Sequence, residues 1–591
     1  MSKTTTVPGS IAGGSSNGSD ERTPLLQPSA GDEPCASLGN IEEVDEENQS
    51  LVDENCNKEE KSLNSFIAVL LIGVFASQAD SSIMLATYGQ ISSEFNDLQS
   101  GSWLLTSYML AQCIAQPLYG KLSDIFGRKH CLQASYLLFA IGTAGSGLGR
   151  SMPQIISARA IQGCGGAGMV CMVAIILTDL VSVHEVAVYR SYVNVIQTLG
   201  RSCGGAVGGY LAQTIGWRWA FLGQAPLVFV AYWLVDSKLP NTTARQSDSR
   251  STWNKFKRID IAGAISMSLG IGSALLVLDM GGQKVPWNHP LIISAAAVSL
   301  TSGIVFILVE RYLAQKPIFP LRLMVHYTVV NSYTSIALQT LTQTALMVTV
   351  PLYWQVTKRA SPAAAGFYLI PAIVGNTLGG LLTGRWIKRY RRYKLPIVLA
   401  SANSMLAFAS LLVYWRENTS SLASLLIFSG GFGTGISHSA VFVALTNGVA
   451  DEDMAIASSG FYLSTNIGGV IGVSAASAIH QVILRHGLLR AFKNSSEREK
   501  IVRRALEDIR FVQDASENLR KLMLPAHITS FQGVFCRTLF TLRRNGADMD
   551  GQIWVLVALR WLWLQEHFFA KGGFVRDKRL WYLGSELVGN G

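Results

Sequence analysis

From residue 65 to residue 485 the chain is a succession of apolar runs separated by short loops that hold most of its basic residues. Runs such as Phe66 to Phe75 and Val170 to Leu177 leave no polar face for a soluble fold. A backbone placed in lipid must satisfy its own hydrogen bonds, so stretches of about 20 such residues are read as membrane helices. Charged residues make up only 15% of the 591, where a soluble domain carries roughly 25%, which argues against an ordinary soluble enzyme.

Thirteen spans are predicted: Ser65 to Tyr88, Ser102 to Leu122, Cys131 to Gly149, Pro153 to Leu180, Val188 to Ala212, Ala220 to Val235, Ile259 to Met280, His289 to Glu310, Val329 to Tyr353, Ala363 to Thr383, Pro396 to Trp415, Leu422 to Asn447 and Ile456 to Ile483. A fourteenth, Ile553 to Phe569, carries Arg560 near its middle, at a cost of about 2.5 to 3.5 kcal/mol on the insertion scale. The net charge of +10 conceals an asymmetry, because residues 1–63 hold thirteen acids against Lys3, Arg22, Lys58 and Lys61. That segment is polar and poor in aromatics, and is expected to be a disordered cytosolic tail. No basic and apolar leader opens the chain, so the first span is expected to do the targeting. With the tail in the cytosol, the basic clusters around Lys121 to Lys129, Lys238 to Arg258 and Arg385 to Lys394 all fall inside, as the orientation rule requires. In that topology Asn418 and Asn494 face the lumen and Asn17, Asn48 and Asn241 do not.

The basic surface belongs to these loops, so no nucleic-acid partner is expected. The eight cysteines show no paired spacing and read as buried small side chains, with no metal site. No phosphate loop, metalloprotease or hydrolase motif occurs at credible spacing, and neither an enzyme nor a cofactor is expected.

Several residues inside or beside the spans point to function. Asp80 lies deep in the first span, where a carboxylate is expensive and faces a partner or a wet cavity. Burial disfavours its charge and a cation favours it, so its proton occupancy can track the compartment it sees. Arg159 and Gln162 share a face of the fourth span, one turn apart. Gln112 and Asn194 are further candidates for substrate or proton binding, among other intraspan polar residues that include Gln116, Gln197, Gln339, Gln343, Asn376, His438 and Asn466. Gly200, Gly204 and Gly208, with Gly209 alongside, recur at the spacing that lets helix backbones touch. Gly163, Gly165, Gly166 and Gly168 give the fourth span a similar face.

After the second span comes Gly120-Lys-Leu-Ser-Asp124-Ile-Phe-Gly127-Arg128-Lys129. Gly120 permits close helix approach, Gly127 a tight turn, and Asp124 is placed to cap the next helix while Arg128 and Lys129 stay in water. Such a loop is a conformational latch. Its spacing recurs at Gly384-Arg-Trp-Ile-Lys388-Arg389, with Lys388 in the place of the acid, which marks two related halves.

The Gly120 to Lys129 loop resembles the cytosolic signature of the major facilitator superfamily, and the resemblance spans roughly residues 65 to 485. Asp80 with its neighbours, Arg159 to Gly163, and Gly216-Trp-Arg-Trp-Ala-Phe221 look like the fourteen-helix drug:proton antiporter branch. The runs Ser102 to Leu110 and Gln116 to Arg128 are similar to fungal vacuolar transporters of basic amino acids. Where that branch has a proline in the fifth helix, this chain has Gly205 or Ala206. After about Phe535 the resemblance stops, and that end reads as degraded or as a gene-model error.

The resemblance implies an all-α polytopic fold of two six-helix halves plus two extra helices. The expected divisions are a tail at 1–63, a first half at 64–236, linker helices at 237–325, the second half at 326–485, a lumenal amphipathic loop at 486–534 and an atypical end at 535–591. It implies a secondary transporter that exchanges cytosolic lysine, arginine or histidine for vacuolar protons, with the bilayer and a small cationic solute as partners. Glu21, Leu25 and Leu26 resemble an acidic dileucine signal that a vesicle sorting adaptor reads. The rival readings are a drug exporter of the plasma membrane and a nutrient sensor that does not transport.

Overall fold

A computed structural model describes residues 46–95, 97, 101, 103–181, 183–238, 260–281, 285–313, 318–417, 419–493, 498–507 and 509–547. The chain divides into two units, 1–60 and 61–591. Of the first, the described part is the beginning of helix α1 (Glu46–Glu94). Residues 46–63 were expected to be disordered and are helical instead. They continue a helix that the apolar span has already nucleated, and propagation onto Glu, Lys and Asn costs little.

The first set of helices is completed by α2 (Trp103–Phe126), α3 (Arg128–Leu148), α4 (Met152–Leu180), α5 (Val183–Thr214) and a sixth broken at Gly223 into α6 (Trp217–Leu222) and α7 (Gln224–Lys238). Two helices follow, α8 (Ile261–Met280) and α9 (Pro290–Tyr312). The second set contains α10 (Tyr327–Lys358), α11 (Pro362–Phe367) leading into α12 (Ile370–Tyr390), α13 (Lys394–Tyr414), α14 (Ile427–Asn447) and α15 (Met454–Ala491). It ends with the short α16 (Arg498–Glu507) and α17 (Ile509–Gln513) and the long α18 (Glu517–Ala547). The described residues form no β-sheet, only an isolated bridge between Gly281 and Val285.

Among the described residues, helices occupy each of the thirteen expected intervals, and ten of them are long and apolar enough to cross a membrane by composition. The three that fall short, α2, α5 and α10, carry Gln112, Gln116, Asn194, Gln197, Gln339 and Gln343. Their polar content is spent on the bundle interior rather than on lipid. In α4 the apolar window is 83% buried and in α9 only 11%, so α4 is central and α9 peripheral. The α8–α9 pair packs together and leans on α2.

The end of the second set departs from expectation. A boundary was expected at 534/535, and α18 runs straight through it, packing on α10, α13 and α15. Met523, Ala526, Phe531, Val534 and Phe535 bury one face, while Arg520, Lys521, His527 and Arg537 dilute the apolar signal along the sequence. The 494–524 segment does place Ala505 and Val512 in the same cluster as Trp354 and Trp415, but as separate short helices. Ile553 to Phe569, Arg560, Asn241, Asn418, Asn494 and the Glu21, Leu25 and Leu26 signal lie outside the described residues.

Candidate functional site

Asp80 is placed by α1 at the centre of the first helix set, fully buried. Arg159 of α4 is equally buried, and its Nη1 stands 2.6 Å from Asp80 Oδ2. A charge removed from water persists only where partners replace the water. Asp80 Oδ1 accepts from Gln224 Nε2 at 3.3 Å. Arg159 Nη1 also donates to Gln162 Oε1 at 2.6 Å, and Nε to the Leu104 carbonyl at 3.2 Å. Gln162 in turn donates to Thr143 Oγ1 at 2.6 Å. The guanidinium lies over the Tyr108 ring, 4.5 Å from its centroid, a cation–π contact in a dry site. Arg159 Nη2 is buried with no hydrogen-bond partner. An arginine at this depth is not reaching for headgroups.

The structure thus brings Asp80, Arg159 and Gln162 together and adds Thr143, Tyr108 and Gln224, which sequence reasoning missed. The other two candidates stand apart. Gln112 is half-buried on α2 and makes none of these bonds. Asn194 of α5 donates instead to Asn376 Oδ1 of α12, joining the two helix sets.

The helix-packing glycines behave as expected at three of four positions. A Cβ on Gly200, Gly204 or Gly208 would run into the α1 segment from Phe75 to Ile83, most severely at Gly204 against the Ala79 backbone. Gly209 is the exception: open space surrounds it, because it points away from that interface.

The loop signature makes ion pairs to other helix ends, by a different route from the capping that was expected. Gly127 takes φ 90°, open to glycine, and is itself the N-cap of α3. Asp124 caps nothing; it pairs with Arg128 at 2.5 Å. Arg128 also binds Asp179 at the end of α4 at 2.8 Å, and Lys129 binds Asp236 at the end of α7 at 3.2 Å. Both basic side chains are only 12% exposed, so they are not left in water. They clamp the ends of α4 and α7 because acids stand there to receive them. Burial pushes the Asp124 carboxyl above the ordinary carboxylate value, and Arg128 offsets part of that rise.

The two repeated glycines sit at related contacts between the helix sets. A Cβ on Gly120 would lie 3.0 Å from the Ala455 carbonyl oxygen of α15, and one on Gly384 would lie 3.0 Å from that of Ala187 in α5. On the same ends of these helices Asn466 donates to Gln116 at 3.0 Å, Lys388 meets Glu185 at 3.0 Å, and Arg190 donates to the Tyr462 hydroxyl. These bonds and the Asn194–Asn376 bond, all between the sets, fall on the half of the bundle that carries the loop signatures. The sets are therefore latched together at that end.

Two sets of helices joined at one end, with a paired carboxylate and arginine inside the first, make the architecture of a membrane transporter. The profile of the Major Facilitator Superfamily matches residues 70–473, and the chain belongs to that superfamily. It is 32% identical over 474 residues to the vacuolar membrane amino acid uptake transporter fnx2 of Schizosaccharomyces pombe, covering 80% of this chain and 81% of the relative. It is 30% identical to the multidrug resistance protein fnx1 of the same yeast, over 81% of this chain and 90% of the relative. With the vacuolar basic amino acid transporter 2 of Saccharomyces cerevisiae it shares 29% identity, over 66% of this chain and 83% of the relative. Among solved structures, the human organic anion transporter MFSD10 matches with TM-score 0.51 at 14% identity, covering 80% of this chain and 98% of that one. The proton:xylose symporter XylE matches with TM-score 0.50 at 14% identity, covering 82% and 95%. At that identity the likeness is one of fold.

Proposed function

We propose that the protein is a proton-coupled transporter that moves basic amino acids from the cytosol into the vacuole. The observation that carries the coupling is the buried Asp80–Arg159 pair. Asp80 is fully buried within its helix, whereas Glu94, Asp124, Asp179, Glu185 and Asp236 stand near helix ends. A proton arriving on Asp80 cancels the charge that holds Arg159, frees the guanidinium to re-pair, and so changes the relative stability of the two rocked states. The substrate class and the vacuolar address rest on the names of the fungal relatives. In the cytosol-inside topology the latched end is the cytosolic one, and Glu21, Leu25 and Leu26 act as the sorting signal. Each pH unit of gradient supplies about 1.36 kcal/mol.

The test is uptake of labelled lysine into isolated vacuoles from cells with and without the gene. Uptake that needs the gene and collapses with the pH difference supports the reading; uptake indifferent to either removes it. The similarity to fnx1 favours a second reading, drug export, which predicts protein at the cell surface and gene-dependent resistance to xenobiotics.

A further inference from the structure

Arg159 of α4 and Arg190 and Arg201 of α5 lie away from the ends of their helices, whereas the acids of these two helices, Asp179 and Glu185, stand near the ends. Arg159 is matched by Asp80. Arg190 and Arg201 of α5 have no acid of their own: among the described residues no ion pair reaches either. They lie at i and i+11 on α5, with Asn194 and Gln197 between them at i+4 and i+7, so the four residues form one stripe down a single helix face. Arg190 is buried in the latch, with its guanidinium over the Phe442 ring at 4.2 Å from the centroid.

Arg201 is placed differently. It follows Asn194, the last latch residue on this helix, by two turns, and stands near the middle of the 32-residue helix. Its Nε donates to Gln78 Oε1 of α1 at 2.6 Å, which fixes the direction of the guanidinium. It shares a helix face with Arg190 and Asn194, which bond to Tyr462 and Asn376 of the second set, so it faces the space between the helix sets. Though neighbouring helices crowd around it, the residue keeps an exposed surface. Among the described residues, no hydrogen bond engages its two terminal nitrogens. An accessible guanidinium near the middle of its helix, aimed by one amide and left without a counter-ion among the described residues, is a preformed fork for a carboxylate.

We propose that Arg201 is the carboxylate-binding residue of the transport site, and that the solute is recognised first through its carboxylate. Under the amino-acid reading above, on which the choice of probe rests, this is the α-carboxylate of lysine or arginine. It explains how an interior rich in guanidinium can accept a basic amino acid: the solute brings the missing acid. Asp80 cannot serve as the first contact in this conformation, being buried and already held by Arg159 and Gln224.

The test uses the full-length protein in proteoliposomes, with labelled lysine and two competitors, unlabelled lysine and cadaverine, which is lysine without its carboxylate. The wild type is expected to be inhibited by cadaverine about tenfold more weakly than by lysine. Arg201→Gln is expected to raise the KM for lysine about tenfold or more and to erase that preference, and Arg201→Lys to restore part of both. Equal competition by cadaverine in the wild type, or an unchanged KM in an Arg201→Gln protein that elutes as a folded monodisperse species, overturns the proposal. If the wild type carries no lysine, the amino-acid reading fails and the site is tested alone. Acetate, succinate and N-acetylglycine are then scored for thermal stabilisation of wild type against Arg201→Gln: stabilisation lost in the variant supports the carboxylate site, while equal or absent stabilisation in both rules it out.

Discussion

Asp80 Oδ2 and Arg159 Nη1 meet at 2.6 Å between α1 and α4 with neither side chain open to solvent. Such a pair contributes little net stability when intact, yet is costly to break from one side. Arg159→Ala leaves a buried carboxylate alone and is expected to cost on the order of 3 to 5 kcal/mol. Asp80→Asn keeps a hydrogen-bond acceptor for Arg159 and is expected to fold. Combining Asp80→Asn with Arg159→Gln should be milder than the sum of the single changes, a coupling measurable by thermal unfolding of the detergent-purified proteins.

Gly204 and Gly209 differ by five residues and by what they face. Gly204→Val drives a branched side chain into the Ala79 backbone and is expected to destabilise the α1–α5 contact by about 1 to 3 kcal/mol or to block folding. Gly209→Ala enters open space and is expected to leave the yield and melting temperature unchanged. Fluorescence-detected gel filtration of the two variants makes the comparison.

The paired contacts at Gly120 and Gly384 predict a conformational effect. Gly384→Leu should wedge α12 away from Ala187 and Ser191 and hold the latched end apart, with transport lost and protein amount kept. The readout is the reactivity of Ser459→Cys, which is buried against Gly120, toward a water-soluble maleimide, in a chain whose exposed Cys203 is replaced by Ser. Labelling should be slow with Gly384 present and about tenfold faster in the Leu variant.

Asp124 gives a pH prediction. Its raised pKa means that the folded carboxyl holds a proton more tightly than a free one does. It therefore carries a desolvation penalty at neutral pH that begins to fade as pH falls through the raised pKa and is gone below the ordinary carboxylate value. Asp124→Asn removes that penalty, so the melting temperature at pH 7 should be kept or slightly raised, and its change between pH 7 and pH 5 reduced. Transport should fall, because Arg128 then relies on Asp179 alone.

What could be read from the sequence follows from how local each signal is. Apolar runs dictated the helices, and the Gly120 to Lys129 spacing dictated a tight turn at Gly127, because both depend on neighbours in sequence. The partners of Arg128 and Lys129 lie about 50 and 107 positions away, at Asp179 and Asp236, so their burial was not legible. Asp80 and Arg159 stood out as lone charges in apolar spans, but Gln224 and Thr143 are ordinary polar residues until the fold puts them beside the pair. Arg190 and Arg201 were legible in principle, as charges at helical spacing inside an apolar run. α18 was not, because its buried face is interleaved with Arg520, Lys521 and His527.

The central claim is that Asp80 exchanges a proton as lysine crosses the membrane. In liposomes containing the purified protein and a pH-sensitive dye, acidic inside, adding lysine outside should drive proton release from the lumen in step with lysine entry. The same addition to liposomes holding folded Asp80→Asn should move no protons. Undiminished proton release by that variant, or lysine accumulation that survives a protonophore, would contradict the account.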